Sequence, residues 1–386
     1  MVLVFAILIE KLLYLDYVLE KMELRYYIIR RLLILVPTLL GLILFLFILM
    51  HALPRSELIA SFVDRQAPGS VQKIEKIEAV KILGLNYPLP LQYFKYIYDL
   101  FTGSWGIMSG GGGYDGSVLH LISIYFPNTI QLALFSTLLS FIIAIPLGTY
   151  IGSKPNSVAD QAGRIFSLTG YALPPFLLAL LLQIALGKGV LAGNPVGVFP
   201  FKGALPGFIA NPPSWLFGVG SGSELISSPT HLVIIDSLIH GDLQLFEQSF
   251  LHLILPVLTL TYGILAGLLR FLRAGMVDSS NQEYVKTARS KGVPENIIIK
   301  KHIRKNALIP TVTVMTLLFA SLLGGVLIVE IVFDYPGIGL LAYHAVYPTL
   351  QIYGILGTTF IFALLLVSAN LIADIVYALI DPRIRY

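Results

Sequence analysis

The 386-residue chain contains no cysteine, which excludes disulfide staples, thiolate metal sites and cysteine nucleophiles and leaves the redox compartment without a trace. Charge is also scarce: 12% of residues are Asp, Glu, Lys or Arg, against about a quarter in ordinary soluble domains. That deficit excludes a plain soluble fold. No G-x-x-x-x-G-K-[ST] phosphate loop occurs, since Gly187-Lys188-Gly189 lacks the hydroxyl residue and Gly110 to Gly113 leads into Tyr114 and Asp115. The chain is therefore not expected to bind ATP itself. The histidines, His51, His120, His231, His240, His252, His302 and His344, show neither H-x-x-x-H nor H-E-x-x-H spacing, and there is no G-x-S-x-G elbow. No catalytic residue, metal ligand or cofactor site is nominated, and enzyme readings start low.

What is present is long uncharged sequence. Runs at 32–54, 116–153, 165–187, 203–223, 248–269, 306–329 and 335–373 lack Asp, Glu, Lys and Arg. A segment crossing a bilayer must satisfy its own backbone hydrogen bonds. Run 203–223, with Gly203, Gly207, Gly218, Gly220, Gly222, Pro206, Pro212 and Pro213, fails that condition and reads as loop. Pro336, Gly337, Gly339 and Pro348 likewise mark the start of the last run as loop, and Gly116 and Pro127 trim the second. The expected fold is an all-α membrane protein with six transmembrane helices at 29–53, 124–152, 162–187, 249–275, 306–330 and 352–379. Pro174 and Pro175 should kink the third.

Basic residues orient this arrangement. Lys11, Lys21, Arg25, Arg30, Arg31, Lys154, Arg164, nine residues between Arg270 and Lys305, Arg383 and Arg385 make up 18 of the 26 Lys and Arg. By the positive-inside rule their segments are cytoplasmic, both termini included. The expected extracytoplasmic parts are long loops at 54–123 and 188–248, the latter a Gly/Pro-rich insertion with a short helix around Leu232 to Ile239, and a third loop at 331–351. The formal net charge of +4 then reads as topology, and nucleic acid is not an expected partner. Membrane lipid is. Residues 1–28 are read as an N-terminal interfacial helix or extension, with 380–386 as a cytoplasmic tail. Leu3, Phe5, Leu8, Leu12, Leu15 and Leu19 alternate with Glu10, Lys11, Asp16, Glu20 and Lys21, which fits a helix along the membrane surface. An extended start upstream of Met22 fits equally well; a cleaved signal is rejected for want of a basic stretch and a cleavage site. Within the spans only Glu330 and Asp374 are ionisable candidates, and for each a structural hydrogen bond is favoured over proton relay.

The cytoplasmic segment 276–305 carries two helix signatures separated by a break. Ser280-Asn281-Gln282-Glu283 fits a capping box, and a first helix is expected to reach about Lys291. Gly292 suits the left-handed position after it, and Pro294 the first turn of a second helix through roughly Lys305. Tyr284 and Ala288 would form a small apolar face, with Lys286, Arg289 and Lys291 elsewhere. A solvated turn is the bland reading, but the segment is too long for a simple connection. A docking surface for a soluble partner accounts for the extra length.

Glu283-Tyr284-Val285-Lys286-Thr287-Ala288-Arg289-Ser290-Lys291-Gly292, followed by Arg304-Lys305-Asn306-Ala307-Leu308-Ile309-Pro310, resembles the "EAA" coupling loop of binding-protein-dependent ABC importer permeases of the oligopeptide/dipeptide/nickel class. The resemblance extends through Leu83-Gly84-Leu85, Gly103-Ser104-Trp105-Gly106, Pro146-Leu147-Gly148, Leu173-Pro174-Pro175-Phe176, Val329-Glu330, Pro336-Gly337-Ile338-Gly339 and Asp381-Pro382-Arg383-Ile384-Arg385. Residues 1 to 23 and most of 188 to 247 lie outside it. Counting back from Gly292, the signature's first two letters fall on Lys286 and Thr287, and Ala288 alone matches, as is common in the peptide-type version.

The resemblance implies a permease subunit in the cell membrane. It would form half of a translocation pathway with a second homologous permease, two ATP-binding cassette subunits that consume ATP and Mg, and an extracytoplasmic solute-binding protein. Contacts to an ATP-binding subunit would come from Glu283, Tyr284, Lys286, Thr287, Ala288, Arg289, Lys291 and Gly292. Pathway candidates are Asn128, Gln131, Ser321, Gly324 and Gly325; small and hydroxyl residues also let membrane helices pack closely, so that reading stands beside a purely structural one. Oligopeptides are the first substrate class, with oligosaccharides or nickel complexes as alternatives. A stand-alone channel or secondary carrier would need an internal repeat or buried charges, and neither pattern is seen.

Overall fold

The computed structural model describes residues 24–60, 69–108, 116–188, 197–205, 213–216, 228–347 and 350–380. The N-terminal surface helix, the Gly110–Gly113 run, much of the Gly/Pro-rich insertion and the tail from Asp381 lie outside the described residues. The described chain is mostly helical. Helix α1 (Leu24–Ala52) is followed by α2 (Arg55–Ala60), α3 (Gly69–Ile82) and α4 (Leu89–Thr102), then by a short antiparallel pair, β1 (Ile107–Met108) and β2 (Gly116–Ser117). Next come α5 (Val118–Ser153), α6 (Val158–Ala172), α7 (Pro175–Leu186), α8 (Val233–Ile239), α9 (Leu243–Ser280) and α10 (Glu283–Ser290). One turn, α11 (Glu295–Ile297), and a π-helical turn at Ile298–Ile303 lead into α12 (Arg304–Phe333), α13 (Ile338–Val346) and α14 (Ile352–Ile380).

Four helices, α1, α5, α9 and α14, are long and apolar enough to cross a membrane, and two bent helix pairs bring the number of candidate spans to as many as six. The first pair is α6 and α7, which meet at 109°, a break where the sequence suggests only a kink. A residue before proline is driven out of the helical region: Leu173 takes φ −84°, ψ 119°, and α7 restarts with Pro175 in its first turn. The second lies in α12, which bends by 53° between Phe319 and Gly324. Prolines within α5 (Pro127, Pro146), α9 (Pro256) and α12 (Pro310) do not end those helices, because neighbouring helices re-satisfy freed backbone groups in an apolar bundle.

Helix α9 is the hub: 72% of its most apolar window is buried, against 17% for α1 at the rim. Close approach is made by small residues. A side chain at Gly148 or Gly152 of α5 would collide with Leu272 or Met276 of α9, and one at Gly275 would press on the Ala307 backbone of α12. The two ends of the bundle differ. One end, the basic end, carries the 270–305 segment; the far end carries α2, α3, α4 and α13. These four are ordered helices inside connections that the sequence reads as loops, and they pack on the far ends of α1, α5 and α14 around Leu46, Met50, Leu83, Leu85, Tyr125, Leu341 and Leu356.

Candidate functional site

At the basic end α9 runs on to Ser280, farther than the expected 275, so the capping box does not form. Ser280 is the last residue of α9, its hydroxyl donates to the Val277 carbonyl (2.8 Å), and Gln282 stands at the start of α10. The apolar face of α10 also differs from expectation. Val285 and Ala288 are buried against Leu272, Met276, Ile298, Ile303 and Ala307, whereas Tyr284 is 38% exposed. A position pair three apart faces the bundle in place of the pair four apart, because α10 docks on the ends of α9 and α12.

Beyond α10 the chain turns as the sequence predicts. Gly292 takes φ +72°, the left-handed region where a Cβ is penalised, and the Val293 N–H reaches back to the Ala288 carbonyl (3.2 Å) to close the helix end. Arg289 clasps Glu295 across the turn at 2.7 and 3.2 Å. The Arg289 guanidinium holds the Glu295 carboxyl below the ordinary carboxylate range. The expected second helix is a single turn at α11 followed by the π-helical turn, and it does not stop near Lys305 but continues into α12. A π turn is wider than an α turn, and here Ile298 and Ile303, five apart, both enter the same cluster.

The result is a short rod riveted to the bundle by one face and open on the other. Glu283, Tyr284, Lys286, Thr287, Arg289, Lys291 and Gly292 are exposed, while Ala288 is not. Lys286 pairs with Glu283 at 2.8 Å along the rod. Seven of the eight residues nominated as partner contacts therefore share the open side, and Ala288 serves the rivet.

A neighbouring cluster escaped the sequence analysis. Asp160, near the start of α6, is fully buried and accepts from Arg273 of α9 at 2.5 and 3.0 Å, from Arg164 at 2.7 Å and from the Asn156 N–H at 2.8 Å. It staples the start of α6 to α9 two turns before α9 ends. The only local signal was the i, i+4 spacing of Asp160 and Arg164. Nothing in the sequence pairs position 160 with 273.

The pathway candidates separate into two places. Ser321 and Gly325 line one open-sided cavity of about 240 Å³ with Thr259, Tyr262, Gly263 and Tyr171, beside the α6–α7 break. Gly324 is exposed on the adjacent part of α12. Asn128 and Gln131 are buried in the packed far half of α5, where the Gln131 amide donates to the Tyr335 hydroxyl at 3.3 Å. The cavity also has a hydroxyl pair on its rim, Thr169 with Tyr262 at 2.7 Å. The ionisable candidates are accounted for structurally: Asp374 pairs with Arg31 at 3.1 Å, and Glu330 is enclosed at the far end, accepting from the Thr129 hydroxyl (2.7 Å) and the Gly339 N–H (2.5 Å).

Comparison with known proteins addresses the same segments. The family model described as binding-protein-dependent transport system inner membrane component matches residues 144–386, and that of its N-terminal membrane component matches 24–112. The chain is 32% identical over 364 residues to the oligopeptide transport system permease protein AppB of Bacillus subtilis, covering 93% of this chain and 99% of the relative. It is 32% identical, with the same coverage, to the dipeptide transport system permease protein DppB of Alkalihalophilus pseudofirmus. The glutathione transport system permease protein GsiC of Pectobacterium atrosepticum is 31% identical over 365 residues, 93% of this chain and 99% of the relative.

Proposed function

The chain belongs to the family of inner membrane components of binding-protein-dependent transport systems, and from that premise we propose that it forms half of the pathway of an ATP-driven importer of oligopeptides. It is a transport subunit of a multi-pass membrane assembly and not an enzyme. In this reading α6 with α7 is one span and α12 another, giving six, and the placement of Lys and Arg supports a cytoplasmic basic end and cytoplasmic termini. A second, homologous permease completes the pathway, two ATP-binding subunits lie below, and an extracytoplasmic protein delivers the solute. The peptide class is carried over from the oligopeptide, dipeptide and glutathione systems in which the relatives are named.

The observation that carries this reading is the one-sided docking of α10. Its apolar side is used up inside the chain and its charged and hydroxyl side is free, so a partner meets polar atoms on a rod that cannot rotate independently. A push on α10 passes through Val285 and Ala288 to the end of α9, through the π turn to α12, and through Arg273 and Asp160 to α6. The broken α6–α7 span and the bend in α12 flank the cavity that holds Ser321 and Gly325, so motion at the basic end reaches the walls of the pathway. A rigid element with two packings of its neighbours is what a two-state switch requires. Proteoliposomes holding the four-subunit complex and its binding protein should take up oligopeptide only with ATP inside; uptake of oligosaccharide alone would replace the substrate, and uptake by the isolated chain without ATP would overturn the function.

A further inference from the structure

Helix α4 has an apolar face that no described part of the chain covers. Leu91, Phe94, Tyr98 and Phe101 recur at intervals of three, four and three and fall on one side of the helix; Phe94 is 65% and Phe101 80% exposed. Lys95 pairs with Asp99 at 2.6 Å beside this stripe, so the stripe itself carries no charge. The opposite side fixes the depth of α4. His51, near the end of α1, bonds Gln92 at 2.7 Å, the Phe47 ring packs against Tyr93 and Tyr96 at 5.3 and 6.1 Å, and the Tyr93 hydroxyl donates to the Leu40 carbonyl at 3.3 Å. Leu40 lies about three turns inward from the end of α1. Past the other end of α4, Trp105 packs on Phe360 at 5.4 Å, two turns inside α14.

We propose that α4 lies in the membrane interface at the far end, with Leu91, Phe94, Tyr98 and Phe101 inserted among the lipids of that leaflet. The occupant follows from depth and from the chemistry of the side chains. The stripe sits level with the outer turns of α1 and α14, on the side of α4 turned away from α1. Aromatic side chains, tyrosine among them, favour this zone because one end is apolar and the other polar. A soluble binding protein approaches from water and would meet the polar edge of α4 before this face. The anchor would hold α2, α3 and α4 against the bilayer, and neither the coupling surface nor the pathway requires it.

The absence of cysteine makes the test direct. Phe94→Cys, Tyr98→Cys and Phe101→Cys each take one nitroxide label in the assembled transporter in phosphatidylcholine nanodiscs, with partner subunits freed of reactive cysteine and retained ATP hydrolysis as the check on folding. Phe45→Cys on α1 and Glu247→Cys near the outer start of α9, an exposed position, are the lipid and water references. The expected result is that oxygen, which partitions into lipid, relaxes the three α4 labels more than an aqueous nickel chelate does, as at position 45 and opposite to position 247. Nickel-dominated relaxation on α4 with a lipid-like position 45 overturns the anchor and leaves the span intact; labels shielded from both agents, or shielded only when binding protein is added, overturn it in favour of a protein partner. Nickel-dominated relaxation at position 45 as well would overturn the span from which the depth was reckoned. Tyr98→Trp gives a label-free check: brominated lipid should quench the added fluorescence, and no quenching contradicts the anchor.

Discussion

A carboxylate is completely buried at either end of the bundle, Asp160 at the basic end and Glu330 at the far end, and these two are satisfied by different means. Asp160 meets two guanidinium groups, from Arg164 and Arg273. Glu330 has a hydroxyl and backbone donors: Thr129, the Gly339 N–H and the Leu340 N–H. Gly339 and Leu340 belong to the first turn of α13, whose own start has no side-chain cap, and the Ile338 N–H donates to the Thr129 hydroxyl at 2.8 Å. Glu330 and Thr129 therefore cap α13 from other helices, using the unpaired N–H groups and positive dipole of a helix start. The contrast follows the charge distribution. Basic residues crowd the end with Asp160, whereas the 331–351 connection has none, so the far end supplies positive potential from the backbone.

That comparison is broken most severely by amide substitution at each carboxylate. Asp160→Asn removes the charge facing two arginines, and losing one partner of a buried ion pair costs about 3–5 kcal/mol; the 24% exposure of Arg273 points to the lower end. The expected outcome is a large fall in the unfolding temperature of the detergent-purified complex. Next in size is Ala288→Asp, which places a carboxylate among Val285, Ile298 and Ile303 at a cost of several kcal/mol if unpaired. It should undock α10 while leaving the spans inserted, so solute-stimulated ATP hydrolysis falls on the order of tenfold and membrane yield is preserved.

Glu330→Gln should cost less than Asp160→Asn, about 1–2 kcal/mol, because an amide oxygen still accepts from Thr129 and no cation is abandoned. Equal losses at the two sites, read as unfolding midpoints side by side, would contradict the proposed difference. The smallest effect belongs to the exposed Arg289–Glu295 clasp, since surface pairs contribute little. Glu295 titrates below its ordinary range, so the clasp's contribution is present above the unfolded pKa and is lost as pH falls through the lower folded value. The mobility of a spin label at Asn296→Cys should thus be flat from pH 8 to pH 5 and rise only in stronger acid.

The mostly helical, membrane-spanning character and the turn at Gly292 were legible because both are local signals: hydropathy over a helix length, and a backbone position that favours glycine. The break at Leu173-Pro174-Pro175 was legible in place but not in angle, since 109° is set by how α6 packs on α9 and α7 on α12. The inward face of α10 was misread because Tyr284 and Val285 are equally plausible on a lone helix, and Leu272, Met276 and Ile303 decide between them. Helix α13 was read as loop from Pro336, Gly337 and Gly339. Its cap comes from Thr129 and Glu330, and Gly337 has room for no side chain against the Glu330 carboxyl, relations that exist only in three dimensions. Asp160 was passed over for the same reason. Of the pathway set, Ser321 and Gly325 share a cavity while Asn128 and Gln131 fill a packed interior, a distinction that residue type does not carry.

The central claim is that the open side of α10 is where an ATP-binding subunit docks. Thr287 is exposed in the middle of that side, and the chain has no other cysteine to compete. A Thr287→Cys permease, labelled with a maleimide that carries a photoreactive benzophenone and assembled with its partners in lipid, should cross-link on illumination to an ATP-binding subunit, with a yield that changes when ATP is trapped. Efficient labelling of Thr287→Cys by a soluble maleimide at an unchanged rate with and without the ATP-binding subunits, and no cross-link, would contradict the account.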